Sequence, residues 1–184
     1  EEPLALVENQ PYIHYRKGSL VMYRLQHEVG EATVNRVLRK LIADHGFKGA
    51  PYPTTLDFLA ALRAEVPADK QALVTDLFEK ITLYDLKTKS ATVKKRADGR
   101  FDVKLVVEAK KMYADGRGKE TDAPLNEALD VGLFTAEPGK KGFEQKDVVV
   151  MERRPIRSGT QTLTFVTRLA PRFAGVDPYN IVID

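Results

Sequence analysis

Ile81-Thr82-Leu83-Tyr84-Asp85 is where the chain changes period. Before it, apolar residues recur at the spacing of a helix face. After it, β-branched residues and strict alternation take over, which is the pattern of half-buried strands. Downstream, Phe101, Val103, Leu105 and Val107 point one way, while Asp102, Lys104 and Val106 point the other. Ala97-Asp98-Gly99-Arg100 supplies the hairpin turn before this strand. Further strands are predicted around Leu129-Val131-Leu133, Val148-Val150 and Leu163-Phe165, separated by glycine-bearing segments at Gly116-Gly118, Gly139-Gly142 and Ser158-Gly159. Six or seven short strands in residues 83–184 predict an Ig-like antiparallel β-sandwich.

Upstream, Val21, Met22, Leu25 and Val29 form one helical stripe, and Val34, Val37, Leu38, Leu41 and Ile42 form a second. Gly30 separates the two helices, and Gly46 is expected to end the second as its C-cap residue. Thr54-Thr55-Leu56-Asp57 offers a hydroxyl N-cap with an acid three residues on, opening a third helix that should end near Pro67. A fourth is expected from about Asp69 to Lys80, with Leu73, Val74, Leu77 and Phe78 facing inward. The fold class is therefore α+β by segregation, with a helical bundle piece in residues 1–82 and a sandwich in residues 83–184.

The 184 residues, 43% hydrophobic and 30% charged, suffice for one globular domain or two small ones. No apolar run approaches the roughly 20 residues of a membrane helix, so a soluble chain is expected. With no cysteine, disulfides and thiolate metal sites are excluded. The net charge of +3 invites a nucleic-acid reading. Residues 1–82 hold 10 basic and 11 acidic side chains, and residues 83–184 hold 19 and 15. The excess is mild, aromatic residues are not interleaved with it as a stacking groove requires, and no nucleic-acid partner is expected.

Tyr12-Ile13-His14-Tyr15-Arg16-Lys17-Gly18-Ser19-Leu20-Val21-Met22-Tyr23 opens the first helix. It resembles the Tyr-x-Lys-Gly helix of the gluzincin, aminopeptidase-N-like zinc aminopeptidases, and the helices after it fit over roughly the first 80 residues. Phe78-Glu79-Lys80-Ile81-Thr82-Leu83-Tyr84-Asp85 and Asp177-Pro178-Tyr179-Asn180 are similar to the tail of a bacterial subset fused to the permease part of an ABC-type transporter. The resemblance implies that residues 1–82 end a thermolysin-like catalytic domain, that the sandwich braces it, and that the parent is a membrane-anchored bacterial hydrolase acting on peptides. The chain, which starts in mid-flow at Glu1 and Glu2, is then expected to be the parent's C-terminal portion, and its first partner the upstream catalytic half.

The resemblance places the one catalytic role on Tyr15, whose family counterpart donates a hydrogen bond to the oxyanion formed at the scissile carbonyl. A phenol titrates at about 10, so it stays a donor at neutral pH. Lys17 and Gly18 are implied to be structural, with Gly18 allowing close packing behind the site. His14 is read as a packing or capping residue in preference to a ligand, and Tyr12 and Tyr23 as core or surface packing residues in preference to a pocket lining.

The family's zinc site needs His-Glu-x-x-His on one helix. His27-Glu28-Val29-Gly30-Glu31 begins that way but ends in glutamate, with Gly30 interrupting the helix. The expected cofactor count for this chain is none, with zinc belonging to the parent, and the chain alone should be inactive. Asp98, Asp102, Asp115 and Asp122 have the spacing of turn acids, not of a calcium loop. A Gly-x-Ser-x-Gly elbow, a phosphate loop and a dinucleotide fingerprint are all absent. The alternative from another class is a non-catalytic interaction or scaffold module of a transporter-associated protein. Either way, helices lacking partners predict an exposed apolar face and self-association through the N-terminal half.

Overall fold

The computed structural model describes residues 2–182. Helices precede antiparallel sheets along the chain, giving an α+β fold with the two kinds of element segregated. Two compact units form: residues 2–82 together with 113–120, and residues 83–112 together with 121–182.

In the helical unit, a π-helical turn at Tyr12–Lys17 runs directly into α1 (Gly18–Val29). α2 (Glu31–His45), α3 (Thr55–Glu65) and a short α4 (Gln71–Val74) follow. The predicted fourth helix is not one regular helix: a 3₁₀ turn at Ala68–Lys70 leads into α4, which loosens into π-helical winding at Thr75–Glu79. The predicted capping box of α3 is present. Thr54 N–H donates to Asp57 Oδ2 at 2.7 Å and the Thr54 hydroxyl at 2.8 Å, satisfying groups that a helix start leaves open. Those two donors hold the Asp57 carboxyl below its ordinary range.

Val21, Leu25, Val34, Val37, Leu59, Leu62, Val74 and Phe78 meet in one apolar core, each full burial worth about 1.5–3 kcal/mol for the larger side chains. The second stripe does not bury as its spacing predicts. Val34 and Val37 are inside, but Leu38 is 37% and Ile42 64% exposed. A 3.6-residue period identifies a stripe but not how much of it finds a neighbour. Gly46 is the C-cap residue of α2, as expected, though not in the left-handed conformation. It is extended at φ −61°, ψ 135°, and Phe47 takes the left-handed position at φ 59°. The glycine is explained by close approach instead, since a Cβ there would lie 2.5 Å from the Ile42 carbonyl oxygen.

The strands are β1 (Ile81–Lys95), β2 (Phe101–Ala114), β3 (Glu120–Ala123), β4 (Asn126–Phe134), β5 (Val148–Arg157), β6 (Gly159–Thr167) and β7 (Phe173–Val176). Seven strands are described, but β1 and β2 are 15 and 14 residues long, not short. β1, β2 and β3 form a sheet in that order, with β6 also paired to β2, while β4 is flanked by β5 and β7 in a second sheet. Val103 pairs with Phe165 and Leu105 with Leu163; opposite them in the core lie Leu129, Val131, Leu133 and Ile156 of the second sheet. This sandwich-like arrangement follows from the alternation, because each sheet has one apolar face to cover.

The segment 113–120 falls in the helical unit although it lies beyond residue 82. Tyr113 Oη donates to the buried Asp76 carboxylate at 2.7 Å, and Lys80 Nζ lies 5.8 Å from the Tyr113 ring centroid. Alternation places Tyr113 on a strand face but carries no information about a hydrogen bond to a residue 37 positions earlier.

Candidate functional site

Tyr15 sits in the π-helical turn, where Gly18 N–H reaches back five residues to the Ile13 carbonyl. Such wide turns are frequent at functional sites. Ile13 is buried and anchors the turn, while Tyr15 is 73% exposed. Its ring is tilted against His14, 4.6 Å between centroids. Among the described residues the Tyr15 hydroxyl has no hydrogen-bond partner, so its proton is available to an incoming acceptor.

The neighbours fall into place around it. Tyr12 is exposed and spends its hydroxyl on Gln10 Oε1 at 3.0 Å. Tyr23 is exposed on α1. His14 is exposed, so it neither packs in the core nor caps the helix through its side chain. Lys17 is half-buried, with no ion pair among the described residues. Gly18 is not forced by packing: a Cβ there would meet Leu4 Cδ1 at 3.7 Å and the Ile13 oxygen at 3.8 Å, both ordinary contacts.

The residues that begin like a zinc motif do not suit a metal. Glu28 is turned inward and paired to Lys70 at 2.7 Å, and Gly30 leaves the helix at φ 85°. Among the described residues, no three His, Asp or Glu side chains gather closely enough to hold an ion. The four aspartates weighed for calcium are occupied locally. Asp98 takes the Arg100 N–H and guanidinium, Asp102 pairs with Arg96, Asp115 accepts from the Arg117 and Lys119 N–H groups, and Asp122 pairs with Lys110.

The structure also holds a polar cluster that sequence reasoning missed. Lys111, nearly buried, places Nζ 2.8 Å from Glu127 Oε1, and the Tyr84 hydroxyl donates to the same carboxylate at 3.0 and 3.1 Å. The signal was present in β2, where Val103, Leu105, Val107 and Ala109 are all buried and Lys111 follows in the same phase. A lysine in that phase needs a carboxylate opposite it.

No family model matches the chain, and neither a curated protein nor a solved structure matches it. What the coordinates establish is the class: an α+β chain of a helical unit and a sandwich-like unit. No helix among the described residues is long and apolar enough to cross a membrane.

Proposed function

We propose that this chain is the C-terminal portion of a bacterial zinc aminopeptidase of the gluzincin, aminopeptidase-N-like kind, within a membrane-anchored parent that carries a transporter permease. The observation that carries this reading is Tyr15. It stands in the Tyr-x-Lys-Gly segment at the head of a helix, exposed, with a hydroxyl that no described residue occupies. In this reading the phenol donates to the carbonyl oxygen of the scissile peptide bond as negative charge develops there, and the wide turn carries the residue at the head of the helix. Zinc belongs to the upstream half, and the residues present here do not fit it.

The test is Tyr15→Phe in the full-length parent. Loss of one oxyanion donor predicts a fall of about 10²–10³ in kcat, with zinc content and KM little changed. Near-normal turnover with zinc retained overturns the assignment. The second reading, an interaction module of a transporter-associated protein, draws on Ile42, Phe47 and Tyr52, which stand exposed. A parent whose upstream residues lack His-Glu-x-x-His favours that module over the enzyme.

A further inference from the structure

Tyr12, Tyr15, Leu20 and Tyr23, each more than half exposed, lie along the π turn and α1, with Arg16 and Lys17 between them. Between Glu8 and Glu28 the chain has no acidic residue. Glu28, the first after that gap, is neutralised by Lys70. Arg16 and Lys17 have no ion-pair partner among the described residues, and the hydroxyls of Tyr15 and Tyr23 no hydrogen-bond partner. Glu2 reaches Gln10 Nε2 at 3.4 Å, beside Tyr12, while the unpartnered tips from Tyr15 to Tyr23 include phenol, guanidinium and ammonium groups, which donate. Tyrosine and arginine enrichment with depletion of carboxylates is also the composition of protein interfaces.

We infer that this face binds peptide segments carrying acidic side chains. The tyrosine rings cover the stems of the bound residues, and Arg16, Lys17 and the Tyr23 phenol donate to their carboxylates, leaving the Tyr15 hydroxyl for the scissile carbonyl. This names the substrate class for the peptidase reading, and rests on that reading only for the peptide being a substrate instead of a ligand. A second copy of the chain is the poorer occupant, because an isologous pairing sets the same unpaired cations against each other. Two cations also fall short of the roughly 4–8 that hold an anionic lipid surface. Nucleic-acid affinity comes from neutralising many phosphates, typically about 6–10 contacts.

The test is fluorescence anisotropy of a labelled peptide alternating glutamate and leucine against the same peptide with glutamine in place of glutamate, titrated with the 184-residue chain. The glutamate peptide is expected to bind about fivefold more tightly at low salt, the ratio closing toward one at about 0.5 M salt. Arg16→Gln with Lys17→Gln is expected to close it as well. Arg16→Gln alone, at an exposed position, should close it in part with an unchanged circular dichroism spectrum. Equal affinities, a ratio that survives the double substitution, or tighter binding to a random oligonucleotide or to phosphatidylserine vesicles overturns the inference. The binding is read on this chain without turnover, so its failure is distinguishable from that of the catalytic assignment, which Tyr15→Phe reports in the parent.

Discussion

Replacing Lys111 by methionine removes a charge from inside the sandwich-like unit while keeping most of the side chain's volume. The Lys111 side chain is 6% exposed and that of Glu127 22%, with Nζ and Oε1 2.8 Å apart. At an effective dielectric of about 20, their direct attraction is about 6 kcal/mol, most of it offset by the cost of desolvating both groups. Breaking a buried pair from one side nonetheless costs about 3–5 kcal/mol, because the remaining charge stays behind. Glu127 is reached by water and keeps the Tyr84 hydroxyl at 3.0 Å, which sets the expected loss near the lower end, at about 3 kcal/mol. Lys111→Met with Glu127→Gln removes both charges and leaves an amide oxygen for Tyr84, so the pair of substitutions should cost less than Lys111→Met alone. Urea unfolding followed by circular dichroism in the strand region reads this as a midpoint shift of about 1–3 M. A Lys111→Met midpoint within error of the unsubstituted chain, or a double variant weaker than the single, refutes the reasoning.

Three other outcomes follow from the helical unit. Gly46→Ala places a methyl 2.5 Å from the Ile42 carbonyl oxygen and should lower stability by about 1–3 kcal/mol, whereas Gly18→Ala meets only ordinary contacts and should be neutral or stabilising by up to about 1 kcal/mol; thermal melts of the two separate these signs. The Asp57 carboxyl is held below its ordinary value by the Thr54 N–H and hydroxyl, so the unfolded state binds the more protons. Its stabilising contribution is whole above the unfolded value near 3.8 and is lost as pH falls through the lowered one; acid unfolding of Asp57→Asn should therefore be less steep in that interval. With Ile42 and Phe47 exposed, the chain is expected to self-associate, and Phe47→Ser to weaken this. Sedimentation equilibrium giving a monomer mass at every concentration removes that expectation.

Local patterns made much of the fold legible. Thr54 and Asp57 sit three residues apart and cap α3 as their spacing predicts, because a capping box is made within one helical turn. Asp98 and Gly99 mark the β1–β2 turn, and the phase of Val103, Leu105 and Val107 is the phase that buries. Less of the candidate site could be read. Tyr15 was marked by resemblance alone, and nothing in its spacing announces a π turn, whose wider winding is a small departure from helical geometry. His14 was expected to pack or cap and stands exposed instead, since spacing along a helix does not say what lies opposite a residue.

The sequence by itself determined the order of helices and strands and the inward face of β2, because periodicity and turn chemistry act over a few residues. Only the tertiary structure decided that Lys111 meets Glu127 and Tyr84, that Tyr113 reaches Asp76, and that Ile42 stays outside while Val37 is buried. Those outcomes depend on which side chains the chain's return brings within about 3 Å, the hydrogen-bonding distance. No period along the sequence encodes that meeting.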